Sequence, residues 1–290
     1  MSSWEHQGLS DRQVEYLETT YPGALIVADH SWPFGISVLE FVHGDRRLLL
    51  KASATAHHLE REYRAHTRWL DALGDDVPAL VDYDAGAGVL VKTFLPGRIA
   101  LGSPQEHDAG SFRQAGALLA RLHRGTAPRR APHYEESMAT KTRAWVARAG
   151  GLAPEEHLAR VADWLDGFRP QPVELVPTHG DYQPRNWLVR PGGRIAVIDF
   201  GRAELRPWYS DLVRMEHHDF ELRPDLRAAF MDGYGPEPGS AAPSEGYPAP
   251  GRRLDELMQA LGTIVWSRDM GDARFEEHGR TMLTRILSTL

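Results

Sequence analysis

A fold-back between residues 186 and 199 constrains this chain more than any other feature. Asn186-Trp187-Leu188-Val189-Arg190 and Arg194-Ile195-Ala196-Val197-Ile198-Asp199 are apolar runs separated by Pro191-Gly192-Gly193. Strand-forming residues on either side of such a break pair as a hairpin. A hairpin returns the chain to its start, so Asn186 and Asp199 stand at its two open ends. Their oxygens can then converge on one ion.

The residues around this hairpin are the types that one chemistry needs. Asn186 is the single asparagine of 290 residues, and it closes the run His179-Gly180-Asp181-Tyr182-Gln183-Pro184-Arg185-Asn186, while Asp199 opens Asp199-Phe200-Gly201. Phosphoryl transfer requires a carboxylate to orient a hydroxyl and two oxygen-bearing side chains to hold magnesium on nucleotide phosphates. Asp181 is the candidate base. Asn186 and Asp199 are candidate magnesium ligands, hard oxygen donors that leave the other positions to phosphates and waters. Gly180 permits tight backbone geometry, and His179 is expected to fix the loop. Singly these residues are ordinary: Asn186 would cap a turn and Asp199 would end a strand. The set at this spacing carries the inference.

Lys51, Lys92 and Lys141 are the only lysines. Lys51 ends the apolar run Leu48-Leu49-Leu50, where it can reach the α- and β-phosphates if a carboxylate on the next helix holds it. Glu60 and Glu62 are two residues apart and lie on different helix faces. Glu62 is the choice, because Leu59, Tyr63 and His66 share its side. The loop Ser31-Trp32-Pro33-Phe34-Gly35-Ile36-Ser37 departs from the G-x-G-x-x-G pattern. Backbone N–H groups near Gly35, flanked by Ser31 and Ser37, can still cap a phosphate. Trp32 and Phe34 either shield the phosphates or pack locally. A purine would meet the backbone of Thr93 and Leu95 between Val38, Leu49, Leu80 and Ile198.

Up to residue 95 the pattern is a small sheet with a helix laid on it. Helices are predicted at 11–20 and 56–73, the second ended by Gly74, and strands at 24–27, 38–42, 47–51, 77–82 and 88–94. Leu95-Pro96-Gly97 breaks the pattern, so residues 1–95 and 96–290 are read as two lobes. Beyond the break the chain is mainly helical: 112–123, 138–149, 154–168, 208–219, 225–234, 252–270 and 272–287. Residues 235–251, rich in Pro, Gly, Ser and Ala, read as a flexible loop. The class is α+β.

Several functions are excluded. A net charge of −7 argues against nucleic acid, which calls for a basic face. No apolar run approaches the ~20 residues of a membrane helix, and no signal peptide opens the chain, so a cytoplasmic protein off the membrane is expected. The absence of cysteine removes disulfides and thiolate metal sites. There is no G-x-S-x-G or H-E-x-x-H. Oligomeric state has no signature in the sequence.

His179 to Asn186, Asp199-Phe200-Gly201, the lysine strand and Gly116-Ala117-Leu118-Leu119-Ala120-Arg121-Leu122-His123 together resemble the aminoglycoside phosphotransferase and choline kinase-like group of small-molecule kinases. The resemblance spans residues 25–219. It implies a bilobal protein kinase-like fold, with a small antiparallel-sheet N-lobe and a larger, mostly helical C-lobe. It also implies ATP (or GTP) and magnesium, with Asp181 as base, Asn186 and Asp199 on the metal, Lys51 on phosphate and Asp211 bracing the catalytic loop. Nine residues, 202–210, separate Asp199-Phe200-Gly201 from Asp211. That leaves no room for a long activation segment to seat a peptide, so the acceptor is expected to be a small hydroxyl-bearing molecule.

Glu204, Glu216, Asp219 and Asp269 are the chief acidic candidates for binding a basic antibiotic, a resistance function. Trp187, Trp208, Tyr209 and Trp266 could instead box a choline-like cation. Three functions follow: an O-phosphotransferase for an aminoglycoside-like or other basic antibiotic; a metabolic kinase for an amino alcohol, aminosugar or other hydroxylated metabolite; and a nucleotide-binding module with little catalysis. Retention of Lys51, Asp181, Asn186 and Asp199 together argues against the third.

Overall fold

The computed structural model describes Trp4 and residues 8–31, 35–236 and 250–290. Trp32 and Phe34, and most of the segment expected as a loop at 235–251, lie outside the described residues. The chain divides into two compact units, neither of them one continuous segment. The first is Met1–Thr126, His179–Glu204 and Ala228–Gly235; the second is Ala127–Thr178, Leu205–Arg227 and Pro236–Leu290.

The first unit opens with α1 (Asp11–Thr20), started by a capping box. The Ser10 hydroxyl accepts the Gln13 N–H, and the Gln13 side chain accepts the Ser10 N–H, so two otherwise unpaired donors are satisfied. Then come β1 (Leu25–Asp29), β2 (Ile36–His43), β3 (Arg46–Ser53), α2 (Ala56–Arg68), β4 (Leu80–Asp84) and β5 (Val89–Thr93). The five strands form one antiparallel sheet in the order β1-β2-β3-β5-β4. Side chains alternate across it. Leu39, Phe41, Leu48, Leu50, Val89 and Val91 face a core shared with Trp4, Leu17 and Tyr21. Lys51 and Lys92 fall at the alternate positions of β3 and β5, and α2 packs against those two strands. The unit continues with β6 (Arg98–Ile99) and α3 (Ala109–Arg124), which is N-capped by Asp108.

The second unit supplies β7 (Arg129–Ala131), α4 (Tyr134–Arg148), α5 (Glu155–Gly167) and β8 (Val173–Thr178). The chain then returns to the first unit for the hairpin of β9 (Trp187–Val189) and β10 (Ile195–Val197), registered Trp187 with Val197 and Val189 with Ile195. It leaves through β11 (Glu204–Arg206). There follow α6 (Val213–Glu216), α7 (Asp219–Leu222), α8 (Pro224–Tyr234), α9 (Pro250–Met270) and α10 (Ala273–Ser288). Leu257, Leu261 and Ile264 of α9 pack with Val161 of α5 and with Met282, Leu283 and Ile286 of α10 as the second unit's core. Among the described residues no helix is long and apolar enough to cross a membrane.

Three expectations need correction. The helix expected over 208–219 is a 3-10 turn, Trp208–Asp211, followed by α6 and α7, each four residues long. The helix expected to run to residue 73 ends at Arg68 and passes into a 3-10 segment, Leu70–Asp76, with Gly74 at φ +54°. The fourth strand starts at Leu80 rather than at residue 77.

Candidate active site

Four stretches of the first unit assemble the site: β3, α2, the loop 179–186 and residues 198–201 at the end of the hairpin. The loop is held from both sides. Buried His179 accepts the Asp181 N–H at Nδ1 (3.2 Å), so its Nε2 carries the proton and donates to the Ile198 carbonyl (3.0 Å). The hydroxyl of Tyr182 donates to the Ala115 carbonyl of α3 (2.7 Å). Gly180 has φ +80°, and a Cβ there would stand 2.3 Å from the Arg202 carbonyl oxygen. Only glycine fits that approach.

Asp181 is 8% exposed, and its carboxylate is crowded with donors. Arg185 reaches Oδ1 (2.9 Å) and Oδ2 (2.7 Å), Gln183 donates to Oδ1 (2.6 Å), and Asn186 to Oδ2 (3.1 Å). These four bonds fill the acceptor positions of an ionised carboxylate. A hydroxyl that donates to Asp181 must therefore replace one of them, and Gln183 and Arg185 are the less buried donors. Sequence reasoning gave neither residue a role, although both lie in the run it singled out.

The orientation of Asn186 follows from its partners. Its amide donates to the Asp181 carbonyl oxygen (2.8 Å) and to Asp181 Oδ2. Both partners are acceptors, so the nitrogen points inward and the amide oxygen accepts no hydrogen bond among the described residues. The Ile198 N–H donates to the Asn186 carbonyl (3.0 Å), which places Asp199 one residue past the hairpin position opposite Asn186. Asp199 is the one described non-glycine residue with positive φ, +67°. That backbone state costs roughly 1–3 kcal/mol and persists where the surroundings enforce it. Asp199 Oδ1 accepts from Lys51 (2.8 Å), while Oδ2 has no partner among the described residues. One free amide oxygen and one free carboxylate oxygen at the end of a hairpin fit magnesium, which takes few protein ligands and fills its shell with phosphates and water.

Lys51 lies between two carboxylates, Glu62 (2.7 Å) and Asp199 (2.8 Å). Glu62 also pairs with Lys92, whereas Glu60 pairs with Arg64 on the helix exterior. Burial by itself would lower the Lys51 ammonium, but Asp199 and Glu62 raise it well above the usual lysine range. Burial would raise the Glu62 carboxyl, but Lys51 and Lys92 hold it down at about 2. Partial desolvation raises Asp199, and the ion pair with Lys51 outweighs this, keeping the carboxyl far below its ordinary value. Lys92 is lowered, first by burial. Its position had a signal in sequence: a lysine inside the apolar run Val89-Leu90-Val91-Lys92-Thr93-Phe94. Phe200 is buried against His179 (4.7 Å between ring centroids) and His66 (6.1 Å), and the Gly201 carbonyl lies 3.0 Å from His58 Nδ1.

Other expected contacts are differently placed. Ser37 is buried, with its hydroxyl donated to the Gly8 carbonyl (2.7 Å), so that hydroxyl faces no phosphate position. The Ser31 hydroxyl accepts the Val38 N–H (2.9 Å). Gly35 has φ +81°, and no described residue lies within 4 Å of where a Cβ would be. The Thr93 N–H is committed to the Ala79 carbonyl (2.9 Å), so it is not available to a purine edge. Ile198 is half-buried, both of its backbone polar groups taken by Asn186 and His179.

The acidic candidates for the acceptor are each already near a cation or imidazole. Glu204 lies 3.6 Å from Arg61, Glu216 3.0 Å from Arg227 and 3.2 Å from Arg252, Asp219 3.5 Å from His218, and Asp269 2.9 Å from Arg148. Glu204 belongs to the first unit and the other three to the second, as does buried Asp211.

Comparison with known proteins gives a family and a fold. The model of the phosphotransferase enzyme family matches residues 35–244. An aminoglycoside 3'-phosphotransferase of Streptomyces fradiae is 30% identical over 186 residues, covering 58% of this chain and 69% of the relative. A solved thermostable mutant of aminoglycoside phosphotransferase APH(4)-Ia, in ternary complex with AMP-PNP and hygromycin B, superposes with a TM-score of 0.70 at 14% identity, over 95% of this chain and 97% of that one. Macrolide 2'-phosphotransferase type I gives 0.60 at 17% identity, over 93% and 95%. These structural likenesses establish the bilobal α+β kinase-like fold.

Proposed function

The chain belongs to the phosphotransferase enzyme family, and from that premise we propose that it is an ATP- and magnesium-dependent O-phosphotransferase. Its acceptor is a hydroxyl of a small molecule, an aminoglycoside-like or other basic antibiotic. The lobes are residues 1–95, which carry the nucleotide contacts, and 96–290, which carry the catalytic loop and acceptor contacts. The observation that supports this reading most directly is the amide of Asn186. With its nitrogen locked onto Asp181, its oxygen is left without a hydrogen bond among the described residues, and the residue read as orienting the hydroxyl is tied to a residue read as holding the metal.

Magnesium, when bound by Asn186 and Asp199, neutralises charge on the phosphates. The rest is done by the protein. Lys51, braced by Glu62, binds the α- and β-phosphates, and N–H groups near Gly35 cap the phosphate end. The Leu95 N–H reads the purine beside Ile198. Asp181 accepts the acceptor's hydroxyl proton as a hydrogen bond and aims its oxygen, with Arg185 or Gln183 giving way. His179 holds the loop. Such positioning supplies most of the catalysis in phosphoryl transfer.

A basic antibiotic is favoured by the relative from Streptomyces fradiae, whose substrate class its name gives, and by Glu204, Glu216, Asp219 and Asp269 as carboxylates able to exchange arginine or histidine partners for ligand amines. The deciding experiment is an ADP-release screen with purified protein over aminoglycosides, macrolides, aminosugars and amino alcohols. Turnover confined to aminoglycosides or macrolides is the expected result. Turnover confined to aminosugars or amino alcohols would replace the antibiotic by a metabolite, and nucleotide binding without turnover on any of them would reduce the protein to a binding module.

A further inference from the structure

Glu62 is shared by two buried lysines that arrive from neighbouring strands, Lys51 from β3 and Lys92 from β5. The two are not equivalent. Lys51 also holds Asp199 at 2.8 Å. Lys92, 1% exposed, has Glu62 as its sole ion-pair partner among the described residues. The cluster therefore contains two cations and two carboxylates, and it splits into Lys51 with Asp199 and Lys92 with Glu62, each neutral.

A buried carboxylate that loses its only cation is strongly destabilised. If Glu62 had Lys51 alone, a Lys51 that shared its charge with a phosphate would leave Glu62 under-compensated, and the ion pair would resist the shift from Asp199. We propose that Lys92 is a positioning residue, the permanent counter-ion of Glu62, which lets Lys51, still braced by Glu62, turn from Asp199 onto nucleotide phosphates. The proposal rests on the phosphotransferase reading above. It gives the scarce lysines distinct tasks: Lys92 stays, Lys51 moves, and Lys141 is exposed on α4.

The scarcity also makes the test direct. In protein labelled with 13C at lysine Cε, three side chains give three sets of correlations, assigned with Lys141→Arg and Lys92→Arg. Mg-ADP is added to saturation, with its binding measured separately by calorimetry. The Lys51 correlations are expected to shift and those of Lys92 to stay. Kinetics give an independent arm. Lys92→Met is expected to raise KM for ATP about tenfold with a smaller effect on kcat, Lys92→Arg to recover part of that loss, and Lys92→Met to add little once Glu62→Gln is present. A Lys92 that merely fills space would lower Tm in Lys92→Met, leave KM alone and give effects independent of Glu62→Gln, which would overturn the proposal. So would bound ADP that moves the Lys92 signals as far as those of Lys51. If Lys92→Met fails to fold, the labelled wild-type protein still decides. Absence of any ADP binding would refute the phosphotransferase reading itself, a result distinct from ADP bound with the wrong lysine responding.

Discussion

Single side chains at this site have separable roles, and substitution should separate them. Asp181→Asn keeps the size of the group and removes the charge that draws a hydroxyl proton. Turnover is expected to fall by roughly 10²–10⁴ while Mg-ADP binding, followed by calorimetry, stays close to wild type. Asp199→Ala should do the reverse at the binding step, weakening Mg-ADP by at least about tenfold; unchanged affinity would remove Asp199 from the metal. The contact of Asp181 with Asn186, and the seat of Asp199 just past the hairpin position opposite Asn186, were legible in sequence because a hairpin converts that spacing into proximity. Glu62 was legible for a related reason, since helical periodicity turned it and not Glu60 towards Lys51. Arg185 and Gln183 were not, because a donor that folds back on a carboxylate four or two residues away leaves no periodic trace. Nor could sequence show that the Ser37 hydroxyl turns to Gly8. A serine beside a glycine-containing loop reads the same whichever way it points.

Helix α2 carries two groups whose ionisation opposes folding in acid. His66 is lowered to about 4, chiefly by burial, and Glu62 to about 2, where the lysines overcome burial. As pH falls from about 6.5 to 4, the unfolded chain takes up a proton at His66 that the folded chain refuses, and between about 4.5 and 2 the same holds for Glu62. Stability should therefore decline in two overlapping steps as pH drops through these ranges. His66→Phe keeps a ring against Phe200 and should make the first step shallower in thermal melts, with His278 of α10, likewise lowered to about 4 by burial, supplying the remainder; an undiminished slope would show that the step arises elsewhere. Helix α3 makes a second test. A Cβ at Gly116 would stand 2.0 Å from the Phe230 carbonyl oxygen, and one at Gly233 1.9 Å from that of Arg113. In an open helix Gly→Ala gains up to about 1 kcal/mol, but here Gly116→Ala should cost about 1–3 kcal/mol through forced separation, read as a lower urea midpoint. Elements were legible where periodicity was unbroken, as in α1, α9 and α10. Strand β8 went unseen because Pro177 interrupts its run, and proline within a run argues against a strand. The strand at β4 starts late because Pro78 cannot donate to a ladder. The 208–219 segment breaks where His218 adopts φ −138° and ψ −84°, a tertiary choice that local sequence does not encode.

For the molecule as a whole, the phosphotransferase reading predicts strong linkage between ligand and stability. Mg-ADP at a hundred times its dissociation constant should add about 2.7 kcal/mol and raise Tm, while ADP with EDTA should add much less. Equal protection by both would argue against a metal-bridged nucleotide. The grouping of compact units was less legible than the fold. A break at Leu95-Pro96-Gly97 marks a change of pattern, yet the contacts gather residues 1–126 with the returning segments 179–204 and 228–235, and no local motif announces such a return. The burial of Lys51 and Lys92 has a practical consequence for handling the protein. Of the lysine side chains only Lys141 meets solvent freely, so lysine acylation would fall on α4, a helix of the second unit. A fluorophore placed there would leave Lys51 and Lys92 chemically untouched.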